Sequence, residues 1–158
     1  MKRKPNRLDL ANYRSLNIYY LTLNCFNRQA HFSDGGVVAA CLEQLTRLKE
    51  KFNAQIWAYC FMPDHLHILI ETENSQAFTK LFKQMTGYYF KQQTGKTLWQ
   101  KSFYDHILRR DEDLVGATAY LLNNPVRAGL VKNYLDYHHS GSFEIAIEDF
   151  VESAGMAT

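Results

Sequence analysis

Ile56-Trp-Ala-Tyr-Cys-Phe-Met62, the connection Pro63-Asp64, and His65-Leu-His-Ile-Leu-Ile-Glu71 make up the stretch that decides the fold. Two runs rich in β-branched and aromatic residues, separated by a Pro-Asp pair, predict two strands joined as a hairpin. Side chains alternate between the faces of a strand, so Leu66, Ile68 and Ile70 share one face, which must be the core side. His65 and His67 then share the opposite face, with their imidazoles close enough to hold one divalent cation between them. Read alone, such a pair also arises by chance as two half-buried or surface histidines.

Working outward from the hairpin, Leu16–Cys25 is rich in Tyr, Ile, Thr and Leu and predicts a preceding strand. Ser33-Asp34-Gly35-Gly36 reads as a turn and N-cap. Val38, Cys41, Leu42, Leu45, Leu48 and Phe52 then follow the spacing of an amphipathic helix. Beyond the hairpin, Phe78, Leu81, Phe82, Met85 and Tyr89 mark a second helix, with Lys80, Lys83 and Lys91 largely off its apolar side. A fourth strand is expected somewhere in Thr97–Leu108. Asp111–Asn124 is expected as a third helix, its three leading acids suiting the positive end of the dipole and Pro125 stopping it. The order β-α-β-β-α-β with one more helix predicts an α+β, ferredoxin-like (split βαβ) antiparallel sheet, with helices on one face and an additional helix that carries candidate chemistry.

On that third helix, Leu114, Thr118, Leu121 and Leu122 cluster on one face at about 100° per residue. Tyr120 falls roughly 140° from the centre of this stripe, an odd place for a large aromatic whose task is packing. Its i−4 neighbour, Gly116, leaves open space beside the ring, and Asn124 lies one turn along the same face with an amide oxygen to offer a cation. A tyrosine lying over the sheet, with Asn124 serving as a pre-proline helix terminator, is the structural alternative.

A length of 158 residues with 46% apolar and 14% aromatic content suits one domain, expected over residues 1–158 with a basic arm at 1–15 and an acidic tail from about 144 to 158. No apolar run approaches the ~20 residues needed to span a bilayer. Cys25, Cys41 and Cys60 include no CxxC pair, so neither a disulfide framework nor a zinc knuckle is expected, and a cytoplasmic setting fits. The formal net charge is +2, but its distribution is uneven. From Phe78 to Arg110 seven basic residues (Lys80, Lys83, Lys91, Lys96, Lys101, Arg109, Arg110) stand against one acid, Asp105, whereas Asp136–Thr158 holds five acids and no Lys or Arg. One-sided positive charge suits a polyanion, most often nucleic acid, although a solvated helix face plus a basic loop would read the same way. Lys80, Lys83, Lys91, Lys96, Arg109 and Arg110 are the candidate DNA contacts.

Two histidines and an amide as cation ligands, one tyrosine and a basic flank describe one reaction. A phenol is a poor nucleophile at neutral pH, yet it can attack a phosphodiester whose non-bridging oxygens are neutralised by a cation. The covalent phosphotyrosine conserves the bond energy for later strand joining, which a hydrolase would not need.

Phe61-Met-Pro-Asp-His-Leu-His-Ile-Leu-Ile70 resembles the metal-binding signature of the single-tyrosine HUH transposases. Tyr120-Leu-Leu-Asn-Asn-Pro-Val-Arg-Ala-Gly-Leu-Val131 resembles, more narrowly, the REP-associated tyrosine transposases, relatives of the small insertion-sequence enzymes. Leu23-Asn-Cys-Phe-Asn-Arg-Gln29, Trp99-Gln100 with Phe103 and Asp105, and Asp136-Tyr137 before Ser142-Phe143 extend the likeness over about residues 17–143. The resemblance implies His65 and His67 as ligands of Mg²⁺ or Mn²⁺, Asn124 as the third ligand, and Tyr120 as the nucleophile. It implies cleavage of single-stranded DNA beside imperfect hairpins, leaving a 5′-phosphotyrosine and a free 3′-OH. It leaves monomer and homodimer both open, since insertion-sequence relatives use the tyrosine helix in trans. His138-His139 and Gly141 depart from the shorter turn of those relatives. From other classes, a hairpin-binding protein without transposition and an RNA-binding ferredoxin-like module are the alternatives. The RNA modules place exposed aromatics on the sheet face, where this chain carries His65 and His67.

Overall fold

The computed structural model describes residues 17–108 and 114–148. Strand β1 (Asn17–Asn24) leads through two short 3₁₀ turns into helix α1 (Gly35–Lys51), followed by β2 (Gln55–Met62), β3 (His65–Thr72) and α2 (Ser75–Thr94). After them come β4 (Tyr104–Ile107), α3 (Leu114–Leu122), the single turn α4 (Asn124–Arg127) and a two-residue strand β5 (Ser140–Gly141). The sheet order is β4-β1-β3-β2-β5, and every pairing is antiparallel. The first four strands reproduce the expected ferredoxin-like arrangement.

Local chemistry sets the helix limits. The Asp34 carboxylate accepts the Gly36 N–H at 2.8 Å, and the Asn74 side chain accepts that of Ala77 at 3.0 Å, so both long helices begin on a side-chain cap. Helix α2 ends at Gly95, whose φ of +73° is the left-handed conformation that glycine adopts without cost and whose N–H closes onto Lys91 O.

One face of the sheet (Tyr19, Leu21, Leu23, Leu66, Ile68, Ile70) is buried under Val38, Cys41, Leu45 and Leu48 of α1 and Phe78, Phe82 and Phe90 of α2. The other face is covered in part by α3, with Leu121 and Leu122 on Ala58, Cys60, Met62 and Leu69. The face alternation of β3 is therefore as expected. Strand β2 differs, because a bulge between Ile56 and Ala58 shifts its register against β3. Ile56 belongs to the α1/α2 side and Ala58 to the α3 side, a switch that one extra residue imposes.

Three expectations are adjusted. The strand sought in Thr97–Leu108 is only Tyr104–Ile107. The described part of the third helix is Leu114–Leu122, and Arg109, Arg110 and the three acids lie outside the described residues. Asn124 opens a separate turn rather than ending the Tyr120 helix. Pro125 sits at the start of that turn, where its fixed φ is pre-organised and its missing N–H costs nothing, so it begins one helix as it closes another. Strand β5 has no counterpart in the sequence reading. It adds to β2 through Tyr59↔Gly141 and Cys60↔Ser140, and a Cβ at Gly141 would come within 2.5 Å of the Tyr59 hydroxyl.

Candidate active site

His65 and His67 stand on the α3 face of β3 with their rings nearly perpendicular, and the two Nε2 atoms lie 3.1 Å apart. Each ring is held from its other nitrogen. Asp64 Oδ1 is 2.6 Å from His65 Nδ1, and a carboxylate there keeps the proton on Nδ1 and the lone pair on Nε2. Thr22, which the β1–β3 register places directly opposite His67, brings its hydroxyl to 3.0 Å from His67 Nδ1. A hydroxyl both donates and accepts, so this contact accommodates either tautomer of His67. Burial holds the His67 imidazole neutral, its pKa lowered to about 3, with repulsion from His65, Arg127 and Arg28 acting in the same direction.

Asp64 is itself held. Arg28 Nε donates to its second oxygen at 2.9 Å, and Arg28 NH1 donates to Asn24 Oδ1 at 2.9 Å. Asn27 and Arg28 have φ of +52° and +55°, a left-handed pair that turns the chain after β1. Burial alone would raise the Asp64 pKa, but the hydrogen bonds and charges of His65 and Arg28 outweigh it and keep the carboxyl below its ordinary value.

Tyr120 projects from α3 and is 60% exposed. Between it and the histidines stands Tyr20, whose ring lies edge-on to Tyr120 at 6.5 Å between centroids and to His67 at 5.6 Å. Burial pushes the Tyr20 phenol up to about 12, against the lowering effect of the Asn124 hydrogen bond, so it stays a neutral hydroxyl. Asn124 Nδ2 donates to Tyr20 Oη at 3.3 Å and to Leu121 O at 2.9 Å, while its Oδ1 accepts from Arg127 NH2 at 2.9 Å. A carbonyl on one side and a guanidinium on the other fix which end of the amide points where. Its oxygen is directed to Arg127, and the amide reaches His67 by way of Tyr20.

The structure thus brings His65, His67, Tyr120 and Asn124 to one face and links them through Tyr20. The basic residues are placed differently. Lys80, Lys83 and Lys91 lie on α2, with Lys96 just beyond it, across the sheet from the histidines. Lys83 is already engaged, donating to Gln100 O at 2.6 Å. Arg109 and Arg110 lie outside the described residues.

The sequence reading did not single out Thr22, Asp64, Arg28, Tyr20 or Arg127 as site residues. Asp64 and Arg127 carried a local signal, being adjacent to His65 and three residues past Asn124. Thr22, Tyr20 and Arg28 come into place through strand register and loop geometry. Among the described residues no group of three or more His, Cys, Asp and Glu side chains is arranged to hold a metal ion together. No helix among those residues is long and apolar enough to cross a membrane.

Residues 14–120 match the family model "Transposase IS200 like", which covers more than half of the chain. A Haemophilus influenzae protein, provisionally described as a REP-associated tyrosine transposase, is 27% identical over 121 residues, covering 64% of this chain and 69% of its own. The REP-associated tyrosine transposase of Escherichia coli K12 is 26% identical over 97 residues, 61% of this chain and 59% of its own length. Among solved structures, a REP-associated tyrosine transposase bound to a REP hairpin superposes with a TM-score of 0.69 at 22% identity, covering 81% of this chain and 78% of that one. That likeness shows the fold.

Proposed function

The chain belongs to the IS200-like transposase family and is thereby an enzyme of DNA transposition, and from that premise we propose that it nicks and rejoins single-stranded DNA beside a hairpin through a covalent 5′-phosphotyrosine on Tyr120. The observation that carries this reading is the convergence of two imidazole Nε2 atoms, 3.1 Å apart, on the face that also presents Tyr120.

The donor set fits a divalent cation. Adjacent ligands of an octahedral ion with bonds of about 2.1 Å lie about 3.0 Å apart, close to the spacing of the imidazole pair. Such ions commonly take few protein ligands and complete their shell with water and phosphate oxygens. His65 and His67 would hold Mg²⁺ or Mn²⁺, with Asn124 joining once its oxygen leaves Arg127, and the cation would neutralise the phosphodiester's non-bridging oxygens. The remaining work belongs to the chain. Asp64 and Thr22 fix the imidazoles, Tyr20 keeps Tyr120 and Asn124 in register with His67, and Tyr120 supplies the attacking oxygen. The partner proposed is hairpin-bearing single-stranded DNA, which Lys80, Lys83 and Lys91 of α2 and Lys96 just beyond it, with Arg109 and Arg110, would engage through phosphates beyond the site.

The test is incubation with Mn²⁺ and a pool of single-stranded hairpin oligonucleotides with randomised flanks. A protein–DNA adduct that survives denaturation, mapped to one bond and absent in EDTA, is expected. No adduct, or an adduct that persists in Tyr120→Phe, would overturn the reading.

A further inference from the structure

Arg127 is a cation at the candidate nucleophile, and its contacts among the described residues leave its charge uncompensated. Its Cζ lies 3.8 Å from the centroid of the Tyr120 ring, in stacking contact. Its NH2 donates to Tyr120 O at 2.7 Å and to Asn124 Oδ1 at 2.9 Å, both neutral oxygens. Among the described residues it makes no ion pair with a carboxylate. Arg28, the other arginine whose charge reaches His67, contrasts with it, because its guanidinium is bound to the Asp64 carboxylate and to Asn24. A guanidinium has five N–H donors in one plane, and the two contacts of NH2 leave Nε and NH1 with capacity for an oxyanion.

We propose that Arg127 binds and neutralises the phosphate attacked by Tyr120, and that the ring stack sets the distance between that phosphate and the phenol. The inference rests on Tyr120 as nucleophile. In the step, the Tyr120 Oη–P bond forms and the P–O3′ bond breaks. The phenolic proton passes to solvent and the departing 3′-oxygen takes one up. The five-coordinate phosphorus carries one more negative charge than the starting diester, and a fixed cation beside it favours that state over the ground state. Lysine would supply the charge but neither the planar stack nor the fork.

The experiment compares adduct formation on two versions of the oligonucleotide mapped with the parent protein. One has a normal diester at the cleaved bond, the other a methylphosphonate, in which a methyl group replaces one charged oxygen. Arg127→Ala is expected to slow adduct formation on the diester by about 100-fold, as loss of an oxyanion partner does. On the methylphosphonate its rate is expected to come within about threefold of the parent, because the five-coordinate state there carries one negative charge rather than two and leaves Arg127 less to neutralise. Arg127→Lys should recover part of the loss on the diester and so shows that the site tolerates substitution. Equal slowing on both substrates would reduce Arg127 to a residue that only positions Tyr120, and an Arg127→Ala rate equal to the parent on the diester would remove it from the reaction. Either result overturns the inference while adduct formation by the parent still stands. Failure of the parent to form any adduct instead overturns the reading of Tyr120.

Discussion

Acidification should weaken the fold through His67 in a way that one substitution can isolate. His67 has an ordinary pKa of 6.5 when unfolded and about 3 in the folded protein, chiefly because burial disfavours the charged ring. Between those values the unfolded chain binds one more proton than the folded one, so stability falls as pH drops through that window. The contribution is fully present above pH 6.5. From pH 7 to pH 5 linkage gives a loss of about 2 kcal/mol from this residue. Urea unfolding of the parent at the two pH values, in EDTA to exclude cation binding, measures the total loss. His31, whose ring is also held below its ordinary pKa, first by burial and then by Lys96, adds to that total in both parent and variant. His67→Gln keeps a polar side chain without a titrating group, so its loss should be smaller than the parent's by about 2 kcal/mol. Equal losses in parent and variant would refute the argument that His67 is kept neutral by its burial, and with it the claim that its ring is ready to act as a ligand at neutral pH.

Four further outcomes are expected. Tyr120→Phe should abolish the covalent adduct and leave hairpin binding, read by gel shift, within about twofold, because a 60% exposed side chain loses only its hydroxyl. Asp64→Ala releases His65 Nδ1 and should raise the Mn²⁺ concentration needed for half-maximal adduct formation about 10- to 100-fold; an unchanged midpoint would separate Asp64 from the cation site. Replacing Lys80 and Lys91 together by Ala should lower the slope of log affinity against log salt by about 1.4 if each neutralises a phosphate of single-stranded DNA. An unaltered slope would place the DNA away from α2. Gly141→Ala should lower the melting temperature in a thermal scan, since the new methyl group would meet the Tyr59 hydroxyl at 2.5 Å and push β5 off β2.

Hydropathy period and turn chemistry carried most of the fold in the sequence. A strand must alternate, so Leu66, Ile68 and Ile70 committed one face to the core and thereby put His65 and His67 together on the other, before any partner strand was known. Helical spacing likewise placed Leu121 inward and left Tyr120 outward, and both are found so. The family resemblance read on the Met62–His67 and Tyr120–Val131 blocks was borne out by the family match over residues 14–120 and, for its narrower reading, by the REP-associated relatives. What periodicity could not carry was register, because the period of a strand is the same whichever residue it opposes. Thr22 meets His67 only because β1 and β3 pair as they do, and Ile56 and Ala58 serve different faces only because of the bulge between them. Nor could helical spacing show that Pro125 starts a new turn, since a proline stops one helix and opens another by the same lack of an N–H. That turn brings Arg127 onto the Tyr120 ring and points the Asn124 oxygen at it. Local pattern thus determined which side chains face together; contacts between residues distant in the chain decided what each of them touches.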